Sequence, residues 1–335
     1  MFPDFAELPS APGAHRVPVY GHAAAVAGLR GAAISGRAAQ AYLFTGPPGI
    51  GKRTLARWFA QLLVCDAGDA GLRPCGHCRA CRLTAAEAWP DLHRLPVPLR
   101  IEAVRELQHD LALAPSASAH RVAILPEVEL ASLGAINSLL KTLEEPPRQV
   151  VLLLTSGDAS AVLPTVRSRC QVLPLRPLGV AQLSAALVEG WGQSAEQAEL
   201  LARLADGRLG WAVRTLSDES VLADRAAWLA GLARARSAAV AGRLALAGEL
   251  ARGAEGLPGG LAVWSAWWRD VLLAGQGLTN LIVNRDRLDE VSGAAVHYAT
   301  AQVVAALRAV ESALRALAAN ASPQLTLEVL LLELP

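Results

Sequence analysis

The stretch GPPGIGKRT, Gly46 to Thr54, stands directly behind the apolar run AYLFT and opens a segment of helical periodicity. Glycines at 46, 49 and 51 let backbone N–H groups curl around phosphate oxygens. The following helix adds the positive end of its dipole, and the Lys52 ammonium reaches the outer phosphates. The competing reading is a Gly/Pro turn that binds nothing. One departure limits the chemistry: where such loops carry a Ser or Thr for magnesium, this chain has Arg53. Thr54 does not replace it, because one step along a helix turns a side chain by about 100°.

A phosphate loop that hydrolyses its nucleotide also needs an acid at the end of a buried strand to complete the metal's coordination. Here the strand-like run RVAIL ends in Pro126, which has no ligand atom, and Glu127 follows where a water-orienting carboxylate would stand. With both metal ligands gone, little turnover is expected, whereas binding of ATP or ADP through Lys52 and the loop backbone stays open.

Cys65, Cys75, Cys78 and Cys81 form a C-x9-C-x2-C-x2-C pattern just after the loop's helix. Four thiolates at this spacing can close around a tetrahedral structural zinc and leave no open position for catalysis. Free or redox-active thiols are the alternative, with His77 as a replacement ligand; disulfides suit a reducing compartment poorly. Further on, LPTVRSRC places Arg167 and Arg169 just before an apolar run. An isolated loop arginine is ordinarily only solvated. It acquires a role only where ATP sites lie between subunits and an arginine is lent in trans.

The elements that must position these groups follow from periodicity. Apolar runs at 41–45, 92–97, 121–126, 150–156 and 171–175 read as strands, with helical segments near 102–113 and 131–145 between them, which implies a parallel three-layer α/β domain. After RPLG at 176–179 only Ala/Leu-rich helical periodicity remains. The expected domains are 1–175, a small helical unit at 176–220 and a helical bundle at 221–335, with chain breaks near 207–210, 217–220 and a Gly-Leu-Pro-Gly-Gly turn at 256–260.

Composition sets bounds. At 53% hydrophobic over 335 residues the chain can build two or three cores, and 31 basic against 30 acidic residues give no extended surface for nucleic acid. No run is long and apolar enough to span a membrane, and the leader MFPDFAELPSAPGAHRVP lacks the basic-then-apolar order of an export signal, so a cytoplasmic location without membrane contact is expected. Only Lys52 and Lys141 are lysines, and tryptophans 264, 267 and 268 crowd one helical stretch, read as core or inter-subunit packing.

Taken together, GRAAQAYLFTGPPGIGK, the four-cysteine insert, NSLLKTLEEPP (Asn137 to Pro147) and SRC (Ser168 to Cys170) resemble the clamp-loader branch of the AAA+ proteins over residues 19–175. More loosely, ARLADGRLGWAVRTL is similar to that family's lid and WWRDVLLAGQGLTNLIVNRD to its oligomerising collar. The resemblance implies an AAA+ α/β/α domain with a zinc module, a helical lid and an all-α collar. It also implies a five-subunit complex with gamma/tau and delta subunits that places a sliding clamp on primed DNA. Residue by residue, it assigns the trans-acting arginine to Arg169, zinc ligands to Cys65, Cys75, Cys78 and Cys81, the loop lysine to Lys52 and a sensor to Thr155. The lid arginine that touches nucleotide falls on Trp211, a third departure beside Arg53 and Pro126. These departures point to a non-hydrolysing member that does not hold magnesium. The alternatives are a gamma/tau-like ATPase in which Thr54 and Glu127 recruit the metal, and a zinc-dependent DNA-binding module. Lys141, in LLKTLEEPP, is read either as an inter-subunit or DNA-backbone contact or as a chance surface lysine.

Overall fold

The structure is a computed structural model that describes residues 16–218, 220–253 and 256–335. The export-signal reading rests mainly on residues 1–15, outside the described residues. The chain divides into two compact units, Met1–Val213 and Arg214–Pro335.

The first unit runs α1 (Ala23–Ile34), β1 (Ala41–Thr45), α2 (Lys52–Val64), α3 (Arg79–Ala85), β2 (Leu92–Arg94), α4 (Ile101–Ala112), β3 (Arg121–Leu125), α5 (Leu133–Glu144), β4 (Val150–Ser156), α6 (Pro164–Arg167) and β5 (Gln171–Pro174). Helices α7 (Val180–Trp191), α8 (Ala195–Leu204) and α9 (Leu209–Ser217) follow. The strands form one sheet in the order β2-β3-β4-β1-β5, and every pairing is parallel. Parallel neighbours need crossover connections that cover both faces, so the inner strands are apolar throughout rather than alternating. Tyr42, Phe44, Val122, Ile124, Val151 and Leu153 enter the core shared with α2. The intervening Leu43, Ala123, Leu125, Leu152 and Leu154 pack with α4 and α5 on the other side. This is the three-layer α/β/α arrangement the periodicity predicts.

Strand β2 is shorter than its apolar run. It ends at Arg94, and although the Leu95 N–H still reaches the Ile124 carbonyl at 3.1 Å, Pro96 has no N–H with which to continue the ladder. Its entry is fixed by Asp91, which is fully buried. The carboxylate accepts the N–H groups of Ser116 and Ala117 at 2.8 Å each, the hydroxyls of Ser116 and Ser118, and Arg121 at 3.3 Å. Burial acts to raise its pKa, but these donors outweigh burial and hold it below the ordinary carboxylate value. Stability from Asp91 is therefore complete above about pH 4 and is lost as pH falls through the lowered folded value. Asp91→Asn is expected to cost about 2–4 kcal/mol at pH 7. In urea titrations the gap from wild type should narrow toward pH 2; a gap independent of pH would refute this account.

The second unit is helical: α10 (Ser220–Ser237), α11 (Val240–Ala251), α12 (Leu257–Gly275), α13 (Leu288–His297), α14 (Thr300–Ala318) and α15 (Pro323–Glu333). Trp264, Trp267 and Trp268 are all in its core, with the Trp264 indole N–H on the Trp228 carbonyl at 2.7 Å. The expected turn at 256–260 is instead the first turn of α12: Pro258 takes an early helical position, where its missing N–H costs nothing. Gly260 is there for packing, since a Cβ on it would lie 1.9 Å from the Trp228 ring. Helix α15 is apolar on two sides. Leu327, Leu330 and Leu331 are buried, while Leu325, Val329 and Leu332 are exposed. Helix α11, which packs on α15, likewise exposes Val240 and Leu244. Among the described residues no helix is long and apolar enough to cross a membrane.

Candidate functional site

The loop from Gly46 to Gly51 joins the end of β1 to the start of α2, and its glycines at 46, 49 and 51 all have positive φ. Gly46 cannot carry a side chain, because a Cβ would meet the Leu175 carbonyl at 2.8 Å. Helix α2 then opens with no acid in its first turn and with two cations, Lys52 and Arg53, at the positive end of its dipole. That combination is strongly anion-seeking.

In this structure the loop's own atoms and neighbouring carboxylates answer the charge. The buried Lys52 ammonium donates to the Gly46 carbonyl at 2.5 Å and to that of Pro47 at 3.1 Å. Burial pulls its pKa below the ordinary lysine value, against the carboxylates of Glu129 and Glu127, which act to raise it. Arg53 forms an ion pair with Glu127 at 2.9 Å, each side chain about one-quarter exposed (24% and 25%). Pro126, at the end of β3, is buried and brings no ligand. Glu127 is left-handed (φ 49°), and its N–H donates at 3.1 Å to the hydroxyl of Thr155, buried on β4. The sequence-predicted residues Gly46, Gly49, Gly51, Lys52, Glu127 and Thr155 thus lie on the linked ends of β1, β3 and β4; Thr54 lies further into α2.

Two participants escape sequence reading. Glu129 accepts the Gly157 N–H at 2.6 Å through one oxygen, and the other is buried without a partner among the described residues. The repeat of acids in PEVEL was its only signal. Gly210, at the start of α9, donates its N–H to the Gly49 carbonyl at 2.7 Å. Backbone contact this close needs glycine on both sides, because a Cβ at Gly210 would stand 2.9 Å from that oxygen and one at Gly49 would stand 3.2 Å from the Trp211 nitrogen. Where the resemblance expects an arginine reaching for nucleotide, α9 brings its own backbone onto the loop.

The four cysteines converge, with all Sγ atoms within 4.8 Å of one another. Cys75 and Cys81 are 3.9 Å apart, close to the edge of about 3.8 Å in a tetrahedron with Zn–S bonds of about 2.3 Å. The donor set therefore fits zinc, and His77 is exposed and outside the cluster. Burial raises the Cys78 thiol to about 11 and Cys81 further still. At Cys75 burial acts in the same direction but is outweighed by the Cys78 and His77 N–H groups, which bring that thiol down to about 6. The cluster is tied to the rest of the unit by Gln61 of α2, fully buried, whose amide donates to the Cys81 carbonyl at 2.8 Å and accepts the Val17 N–H at 3.1 Å.

Arg169 lies between α6 and β5, about one-third exposed (36% of its side chain). It donates to the Thr165 carbonyl at 2.9 Å and pairs with Glu144 of α5 at 2.8 Å. Among the described residues Arg167 reaches only the Ala159 carbonyl, at 3.4 Å. Lys141 is exposed on α5.

A parallel sheet with a glycine-rich loop opening α2, a polar residue on the neighbouring strand and the start of α9 bonded to the loop defines a three-layer α/β/α phosphate-loop unit. Residues 21–179, a little under half of the chain, match the family described as DNA polymerase III, delta subunit. It is 43% identical over 152 residues to the DNA polymerase III subunit delta' of Pseudomonas aeruginosa, covering 42% of this chain and 46% of that one. To the subunit tau of Escherichia coli it is 35% identical over 193 residues, 56% of this chain and 30% of that one. The matches thus span less than half the length of these curated relatives. Among solved structures it is similar to a DNA polymerase III gamma subunit-related protein of Thermotoga maritima, with 16% identity and a TM-score of 0.46 over 92% of this chain and 97% of that one.

Proposed function

We propose that the chain is a delta-prime-type clamp-loader subunit that hydrolyses no ATP itself. It assembles with gamma/tau and delta subunits in the cytoplasm, lends Arg169 to a neighbour's ATP site and so helps to place a sliding clamp on primed DNA. The observation that carries this reading is the Arg53–Glu127 ion pair, which puts a fixed guanidinium on the carboxylate that would otherwise serve metal and water, beside a Pro126 that offers no ligand. A site built this way can still hold phosphate through Lys52 and the loop. Structural zinc is proposed at Cys65, Cys75, Cys78 and Cys81, where it would tie the 65–81 segment together rather than take part in phosphoryl transfer. The exposed apolar sides of α11 and α15 suit packing against the collars of other subunits.

The similarity to tau subunits favours a second reading, an ATP-hydrolysing gamma/tau-like subunit, over the same residues. Arg53 and Pro126 separate the two. The test is ATP hydrolysis, stimulated by clamp and primed DNA, in a reconstituted loader carrying wild-type chain or Arg169→Ala. A fall of about tenfold or more with the complex intact is expected; unchanged hydrolysis would overturn the proposal.

A further inference from the structure

We propose that Glu144 is the positioning residue for Arg169: its carboxylate fixes the guanidinium at the α6–β5 corner before a phosphate on a second subunit arrives. The inference rests on the reading of Arg169 given above and adds a residue to it.

Glu144 is the last residue of α5, where the negative end of the helix dipole disfavours a carboxylate. Its place there is thus not explained by helix stability, and its structural partner is Arg169, with Nη2 to Oε1 at 2.8 Å. The guanidinium is also held by Nη1, on the Thr165 carbonyl at 2.9 Å and the Ser168 hydroxyl at 3.4 Å. Two nitrogens anchored on two different elements, α5 and α6, define the orientation of the guanidinium plane. Among the described residues Arg167, two residues earlier in the same segment, has one hydrogen bond, at 3.4 Å, and no acidic partner. The selectivity of the anchoring for Arg169 separates a prepared group from a solvated one.

A surface ion pair this exposed contributes little to folding, so stability is a poor reason for it. An unrestrained arginine, by contrast, carries rotamer entropy that must be lost each time it is fixed against a phosphate. An anchor already in place removes part of that loss from the activated complex. Glu145 caps α5, and Pro146 and Pro147 follow it, so the helix stops just after Glu144 and the Glu144 carboxylate stands on the helix rather than in a loop.

The test is a double-mutant cycle in the fully reconstituted loader, reading stimulated ATP hydrolysis with complex assembly checked by size-exclusion chromatography. Glu144→Ala is expected to lower kcat about two- to fivefold without changing KM for ATP or assembly. Glu144→Gln, whose amide oxygen still accepts a hydrogen bond, should keep most of the rate. In the Arg169→Ala background, Glu144→Ala should have no further effect. An equal loss in both backgrounds, or no loss in either, overturns the positioning role while the arginine's own role stands. If Arg169→Ala itself leaves hydrolysis unchanged, both readings fall.

Discussion

Steady ATP turnover by the purified chain with magnesium is expected to lie at least about a thousandfold below that of a phosphate-loop ATPase with its metal ligands in place. The reason is local. On the proposed reading Arg53 stands where a hydroxyl would hold the metal and Pro126 where a carboxylate would, while Glu127 is paired with Arg53 at 2.9 Å. A cation fixed in that place also repels magnesium. Nucleotide binding should be weak, because phosphate must draw the Lys52 ammonium away from the Gly46 and Pro47 carbonyls and must fit beneath an α9 already bonded to Gly49. Affinity measured by calorimetry should change little when magnesium is left out of the buffer. Turnover at ordinary phosphate-loop rates, abolished by Lys52→Ala, would decide for the gamma/tau-like reading.

Removing zinc should have the largest effect on folding. Structural zinc in small domains contributes about 10–16 kcal/mol of apparent binding energy at neutral pH. Only part of this would be lost here, because α2 and the sheet retain their own core. The purified chain is expected to contain one zinc per molecule by plasma emission, and Cys78→Ser to contain much less. Chelation should lower the midpoint of the first unit's thermal transition by several degrees or more. Acid should weaken binding, because thiols raised like Cys78 and Cys81 must lose protons to ligate. A chain free of zinc and unaffected by chelator would return the cysteines to the free-thiol reading.

The sheet was legible because a strand buried on both faces is written as an unbroken apolar run, as AYLFT and VVLLLTS are. The cysteine cluster was legible because its ligands are close in sequence. What escaped depends on distant segments meeting. Nothing near Glu144 announces Arg169, nothing near Gly210 announces Gly49, and Gln61 gives no sign that one amide will serve both Val17 and Cys81. Gly260 was misread for the complementary reason: glycine beside proline signals a turn by local propensity, but here the absent side chain makes room for Trp228. Arg53 lay between these cases. Its identity showed what the loop lacked, and only the structure showed Glu127 as its partner.

In the assembly proposed above, the two-sided apolar character of α15 bears on the life of the chain before it meets its partners. Leu325, Val329 and Leu332, with Val240 and Leu244 on α11, leave a lone copy with adhesive surface in water. Copies made in excess of their partners would then self-associate or be cleared, so the cellular level of the chain would be set by the stoichiometry of its neighbours as much as by its own synthesis.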